Sequence, residues 1–139
     1  MVSAGCTRRA PLRQAMKSAL LKQHFLNPVG MKRIDSPSYR ATCRSDTCSD
    51  VIRMTVTVDG DGVVRDIGTE VYGCGYSIAG ASLFNSAALG IPVEDVAAIV
   101  DRQLAAVLPE VPEGNRRCVE LPKKAFSTIY ESYRSEKNR

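Results

Sequence analysis

The sequence lacks any hydrophobic run long enough to cross a membrane, and it lacks the apolar stretch of a secretory signal peptide. A membrane-spanning helix needs about 20 consecutive apolar residues. Neither membrane association nor secretion is therefore expected. The chain has five cysteines, an odd number that does not indicate a disulfide framework. We expect reduced thiols and a cytoplasmic location.

Acidic residues are missing from the first 34 positions, where seven lysines and arginines occur. The rest of the chain carries 12 of the 19 basic residues and all 15 acidic ones, so the net charge of +4 arises in this first segment. A nucleic-acid-binding domain needs a basic face on its folded body, and no nucleic-acid partner is therefore expected. A basic N-terminus without acids is also typical of a mitochondrial transit peptide, which makes the mitochondrial matrix the alternative location.

Two glycine-rich segments lack the residues of the motifs that they partly match. The segment Asp59–Gly62 has neither the glycine nor the glutamate that an EF-hand requires, and it is predicted to be a tight turn. Gly73-Cys74-Gly75 has Ile78 where a dinucleotide-binding loop has its third glycine. These glycines are expected to let the backbone bend and to leave Cys74 open to a metal.

The hydrophobic patterns that are present predict an α+β fold. Residues 1–10 have no apolar period and are expected to form a flexible tail, and 11–139 a single domain. Alternating patterns predict strands over 39–43, 52–58 and 63–71, with Val63, Ile67 and Val71 on one face. Helical patterns cover 11–27, 77–89, 93–107 and 122–133, the last opening on Pro122. The predicted architecture is a small antiparallel three-stranded sheet packed with helices and flanked by N-terminal and C-terminal helices.

Four residues at element boundaries are candidate metal ligands. Cys48 and Asp50 are two residues apart at the start of a strand, so their side chains are expected on the same side. Cys74 stands just before a helix, whose partly positive end favours the thiolate. Cys118 follows Arg116 and Arg117 and precedes a helix, and thiolate is expected there for the same reasons.

These residues carry a resemblance to a known family. Cys48-Ser49-Asp50, then Tyr72-Gly73-Cys74-Gly75, then Cys118, with His24–Pro28 upstream, resemble the IscU/NifU-type iron–sulfur cluster scaffolds over roughly residues 15–133. The resemblance implies that Cys48, Asp50, Cys74 and Cys118 hold a transient [2Fe–2S] cluster. It also implies a cysteine desulfurase as sulfur donor, an iron and electron donor, and apo-proteins that accept the cluster. Such a scaffold is not an enzyme.

The chain departs from the family pattern, and two alternatives stay open. Arg117 stands where the family often has histidine, and Leu108–Gly114 replaces a stretch by which some members recruit a chaperone. A SufU-like persulfide acceptor would hold Zn²⁺ with the same ligand set, and so would a structural zinc module that binds another protein.

Three further residues are weighed against this ligand set. Cys43 is either a zinc partner of Cys48 or a small apolar residue able to form a disulfide with it on oxidation. His24 is expected to be a capping or surface group, not a ligand. Cys6, in the predicted tail, is expected to be dispensable.

Overall fold

The structure is a computed structural model that describes residues 16–45 and 49–137. The predicted tail and two of the cysteines, Cys6 and Cys48, lie outside the described residues. The elements are α1 (Ala19–Leu26), β1 (Tyr39–Arg44), β2 (Val51–Val58), β3 (Val64–Tyr72), α2 (Gly75–Ala88), α3 (Val93–Val107) and α4 (Arg116–Lys137). Two short 3₁₀ helices, Leu108–Glu110 and Glu113–Asn115, connect α3 to α4. The α+β prediction is confirmed.

The sheet has three antiparallel strands in the order β1-β2-β3. The predicted turn after β2 forms because the Asp59 side chain accepts hydrogen bonds through Oδ1 from the N–H groups of Asp61 (2.8 Å) and Val63 (3.0 Å). Such local bonds from an aspartate are a common way to stabilise a reversal. The hairpin therefore brings the start of β2 beside the end of β3, where Val51 is opposite Tyr72.

One prediction for β3 is wrong by a single residue. Val64, fully buried, stands opposite Val58, whereas Val63 was expected on the inward face. The register shifts here, with Thr57 opposite Asp66 and Val58 opposite Val64, so Arg65 is an extra residue on β3. Because side chains alternate faces along a strand, the extra residue of this β-bulge puts the side chains before it on the opposite face of the sheet. Beyond the bulge Ile67 and Val71 occupy inward positions as predicted, opposite Val56 and Ile52.

Helices α2 and α4 pack together behind the sheet. Nearly every residue of α2 is buried, and its small side chains permit a close approach. A Cβ atom on Gly80 would lie 2.5 Å from the Val119 carbonyl oxygen and 2.8 Å from its Cα, so α2 touches the backbone of α4 there. Phe84 and Phe126 continue the contact with ring centroids 5.3 Å apart. Among the described helices, none is long and apolar enough to span a membrane.

Three helix starts differ from the predictions. Ser18 caps α1, accepting the Leu21 N–H at 3.2 Å, so the helix begins at Ala19 and the described residues before it are not helical. Helix α2 begins at Gly75 and not at residue 77. Helix α4 begins at Arg116, six residues before Pro122, because the 3₁₀ turn Glu113–Asn115 leads directly into it. Pro122 is tolerated inside the first turns, and Cys118 consequently lies within the helix.

Candidate metal centre

Three of the four predicted ligands meet at one buried point. Asp50 immediately precedes β2, Cys74 lies between β3 and α2, and Cys118 is in the first turn of α4. One ligand atom from each residue lies within 4.8 Å of the other two. The exposed fractions of the three residues are 3%, 1% and 0%. Cys48, the fourth predicted ligand, lies outside the described residues.

The Asp50 carboxylate is held by the start of α2. Its Oδ1 accepts the backbone N–H of Cys74 at 3.3 Å, and its Oδ2 accepts a hydrogen bond from the Ser77 hydroxyl. The Cys74 sulfur is 3.3 Å from the same Oδ2. A buried carboxylate is costly unless it has donors or an opposite charge. Here the donors come from the first residues of a helix, where backbone N–H groups and the helix dipole favour negative charge.

Cys74 lies at the start of α2, as the sequence predicted, and it has the N-cap position because the helix begins at Gly75. Its pKa is lowered from the ordinary value, chiefly because the Cys118 thiol donates a hydrogen bond to its sulfur, with help from the Ser77 backbone N–H. Burial and the negative charge of Asp50 act in the opposite direction. Of the two cysteines, Cys74 is therefore the one whose thiolate the site favours.

The expectation of a lowered pKa at Cys118 is wrong. The Cys118 pKa is raised, first because its proton is shared with Cys74, and also because of burial and the charges of Cys74 and Asp50. The two arginines do not compensate. Arg117 is exposed, and the Arg116 side chain donates to the Val111 carbonyl oxygen at 3.1 Å. A metal that binds both sulfurs must displace the Cys118 proton.

Cys43 and His24 lie outside this group of ligands. Cys43 is buried on the edge strand β1, opposite Ile52. His24, half-buried at the end of α1, places its Nδ1 2.6 Å from the Ser82 hydroxyl on α2. The same hydroxyl accepts the Val29 N–H at 2.8 Å. His24 thus connects α1 to α2 through Ser82.

Ser77 contributes to the site and was not identified from the sequence. The residue is fully buried, and its hydroxyl lies 3.9 Å from the Cys74 sulfur in addition to its bond with Asp50. A hydroxyl three residues after an N-cap lies over the same turn of a helix. That spacing was available in the sequence, but it becomes informative only once α2 is known to begin at Gly75.

The donor set suits a tetrahedral ion or a cluster iron. Ions with Zn–S bonds near 2.3 Å and Zn–O bonds near 2.1 Å hold ligand atoms about 3.5–3.8 Å apart. The three ligand atoms lie within 4.8 Å of one another, and the Cys74 sulfur is 3.3 Å from Asp50 Oδ2. Small adjustments of these side chains would therefore reach the separations that such an ion requires. Thiolates bind both zinc and iron–sulfur clusters, and three protein ligands leave one position for a fourth.

The chain is similar to a known protein family over most of its length. The sequence model described as the NifU-like N-terminal domain matches residues 17–139. The nitrogen fixation protein NifU of Azotobacter chroococcum is 28% identical over 123 residues, which cover 88% of this chain but 40% of that relative. The scaffold protein IscU of Haemophilus influenzae, named for iron–sulfur cluster assembly, is 30% identical over 116 residues, covering 81% of this chain and 91% of the relative.

Solved structures share the fold. A candidate iron–sulfur cluster assembly scaffold of the SUF system from Fervidobacterium islandicum superposes with a TM-score of 0.70 at 14% identity, covering 81% of this chain and 95% of that one. The N-terminal part of a NifU-like protein from Brucella abortus gives 0.57 at 19% identity, covering 88% and 83%. These identities establish a common fold only. The sequence match over residues 17–139 establishes the family, and the chain belongs to the NifU-like N-terminal domain family.

Proposed function

We propose that this chain is a scaffold on which a labile [2Fe–2S] cluster is assembled and from which it passes to apo-proteins. The observation that carries the proposal is the convergence of Asp50, Cys74 and Cys118 at one buried point in a chain of this family. Cys48, two residues before Asp50, supplies the fourth ligand. Relatives in the comparison are named as cluster assembly scaffolds, and they include a mitochondrial protein from Schizosaccharomyces pombe as well as bacterial ones.

The partners follow from the chemistry of assembly. A scaffold thiolate attacks the sulfane sulfur of a cysteine desulfurase persulfide, which forms a scaffold persulfide and releases the desulfurase thiolate. Two electrons from a donor then reduce the sulfane sulfur to sulfide, which binds iron. Cys74 is the candidate for this attack, because its pKa is lowered from the ordinary value. The chain turns over no substrate in the usual sense, and its cargo leaves with the acceptor protein.

The mixed ligand set supports delivery over permanent storage. Thiolates hold cluster iron firmly, whereas a carboxylate is a harder and weaker partner for it. A site with Asp50 in place of a fourth cysteine can therefore both build a cluster and give it up. This chemistry needs reduced thiols, and we therefore propose the cytoplasm as the location, with the mitochondrial matrix as the alternative.

A zinc-holding persulfide acceptor is the second candidate, because the three thiolates of Cys48, Cys74 and Cys118 and the carboxylate of Asp50 suit Zn²⁺ equally well by geometry. In that function the metal stays bound while sulfur is relayed from the desulfurase. The two candidates differ in what accumulates on the chain. A scaffold gains iron and sulfide together, and a sulfur relay gains only sulfane sulfur.

The test is anaerobic incubation with ferrous iron, cysteine, a reductant and a cysteine desulfurase, followed by ultraviolet–visible spectroscopy. We expect cluster absorption to appear and to move to apo-ferredoxin when it is added. Cys48→Ala, Cys74→Ala and Cys118→Ala should each prevent this, whereas Cys6→Ala should not and Cys43→Ala should have a mild effect. Undiminished assembly by Cys74→Ala would refute the site. Zinc-dependent sulfur transfer without a cluster would favour the relay.

A further inference from the structure

Ser77 gives the Asp50 carboxylate a hydrogen-bond partner within the protein. Its hydroxyl donates to Oδ2, the oxygen that faces the Cys74 sulfur at 3.3 Å. Oδ1 is held by the Cys74 backbone N–H at 3.3 Å. Asp50 is 3% exposed and Ser77 is fully buried, so this hydrogen bond is made away from solvent. Both carboxylate oxygens therefore have donors from the protein itself.

We propose that Ser77 is a positioning residue that stabilises the metal-free site and thereby loosens its hold on the metal. The inference rests on the ligand assignment made in the proposed function. It concerns a side chain that is not itself a ligand. It explains how a site whose thiolates bind metal strongly can still release the metal.

The physical basis is a difference between two states. Without a metal, the buried Asp50 carboxylate lies with its Oδ2 3.3 Å from the Cys74 sulfur, and the hydrogen bond from the Ser77 hydroxyl stabilises it there. With a metal bound, the cation balances the negative charge of Asp50 and draws electron density from Oδ2. The hydrogen bond from Ser77 then contributes less to the stability of the site. An interaction that is stronger in the empty state opposes binding by the difference between its two strengths.

The opposite role is also physically defined, and it predicts the opposite sign. Hydrogen-bond partners of a ligand often orient it for the metal, in which case their removal weakens binding. Ser77 would then hold Oδ2 in the correct place for coordination. The change in metal affinity on removing the hydroxyl therefore distinguishes the two roles.

The experiment measures the Zn²⁺ affinity of the reduced 139-residue chain by competition with a chromophoric chelator. Ser77→Ala should bind Zn²⁺ about tenfold more tightly than the original chain, which corresponds to about 1.4 kcal/mol. Its metal-free form should unfold at a lower temperature, while its zinc-loaded form should be affected less. Unchanged or weaker Zn²⁺ binding would overturn the proposal.

Ser82→Ala is the matched control, because Ser82 is also a fully buried serine of α2 and its hydroxyl serves His24 and Val29 instead of the site. We expect this variant to lose stability equally with and without Zn²⁺ and to keep the original affinity. A tenfold gain in Ser82→Ala as well would attribute the effect to general loosening of α2 and would overturn the role of Ser77.

A double-mutant cycle tests whether Ser77 acts through Asp50. In an Asp50→Ala background, Ser77→Ala should leave Zn²⁺ affinity unchanged, and a persistent tenfold gain would contradict the proposed route. These measurements involve no desulfurase and no cluster. If cluster assembly fails while the zinc results hold, the scaffold function is wrong and the role of Ser77 stands. The reverse pattern removes the role of Ser77 alone.

Discussion

Gly73 leaves the space in which the Asp50 carboxylate lies. A Cβ atom on residue 73 would be 2.3 Å from Asp50 Cγ and 2.4 Å from Oδ1. Distances of this kind are far inside van der Waals contact, so a side chain at 73 and the observed position of Asp50 are incompatible. The glycine before Cys74 therefore serves the ligand on β2 as well as the bend of its own backbone.

Gly73→Ala should displace Asp50 and weaken metal binding. The added methyl group forces the carboxylate away from the Cys74 N–H, and overpacking of this kind costs about 1–3 kcal/mol of folding stability. Chelator competition and chemical denaturation measure the two effects. Gly60→Ala is the control, because a Cβ there would meet nothing within 4 Å. Normal Zn²⁺ affinity in Gly73→Ala would mean that Asp50 is not a ligand.

Gly80→Ala should increase the distance between Cys74 and Cys118. The new methyl group would collide with the Val119 backbone, next to Cys118, and would push the start of α4 away from α2. We expect a loss of about 1–3 kcal/mol in stability together with weaker metal binding. If only the stability falls, then the contact between α2 and α4 does not determine the distance between Cys74 and Cys118. Titration of Zn²⁺ alongside urea denaturation distinguishes these outcomes.

The sequence predicted the elements better than their ends. Alternation in β2 and the Asp59 turn were enough to place the hairpin, because both depend on local periodicity and local hydrogen bonds. The bulge at Arg65 was not predictable, since an extra residue on a strand is seen only in its pairing with the neighbouring strand. The start of α4 was misplaced because the prediction opens the helix on Pro122. In the structure the helix begins at Arg116, and Pro122 lies inside it.

The site could be predicted in its ligands but not in its surroundings. Order and spacing identified Asp50, Cys74 and Cys118, and the structure brings these three together. The roles of Ser77 and Gly80 depend on the packing of α2 against β2 and α4, which no spacing within one helix reveals. The raised pKa of Cys118 likewise arises from Cys74, 44 positions earlier in the chain.

Acid should weaken the link between α1 and α2 through His24. Burial lowers its pKa below the usual value of 6.5. The unfolded chain therefore binds this proton more readily than the folded one, and the contribution of His24 to stability is lost as the pH falls below about 6.5. A protonated imidazole also has no acceptor for the Ser82 hydroxyl.

His24→Gln supplies the comparison for this pH effect. The free energy of unfolding of the original chain minus that of the variant should decrease between pH 7.5 and pH 5.5. The slope of this difference against pH should correspond to less than one proton taken up on unfolding, because His24 is only half-buried. A difference that stays constant over this range would show that His24 does not titrate differently in the folded chain.

Tyr76→Phe should leave the metal-free protein as stable or make it more stable. The Tyr76 hydroxyl is buried and makes no hydrogen bond with the described part of the chain. An unpaired buried hydroxyl costs about 1–3 kcal/mol, so its removal should recover part of that amount. Thermal unfolding of the metal-free chain measures this, with Tyr130→Phe, at a half-buried position of α4, as control. A clear loss of stability in Tyr76→Phe would mean that the hydroxyl has a partner in solution.

Asp50→Ala should slow the transfer of a cluster to an acceptor protein. Iron holds the carboxylate oxygen less firmly than a thiolate, so this oxygen is the ligand that gives way when an acceptor thiol enters. Without it, Cys48, Cys74 and Cys118 still retain the iron, but the exchangeable position is lost. We therefore expect the cluster to persist longer on the variant, as seen by its absorption, and to reach apo-ferredoxin more slowly.

A purely structural role for Asp50 predicts different behaviour, because the carboxylate also accepts the Cys74 N–H that begins α2. Loss of that contact alone would lower the thermal stability and leave the transfer rate unchanged. Asp66→Ala, on exposed β3 surface, controls for the removal of one negative charge. Equal transfer rates from Asp50→Ala and the original chain, together with a lower melting temperature, would therefore make Asp50 a helix-start residue. A slower rate at Asp50 but not at Asp66 identifies it as the ligand through which the cluster leaves.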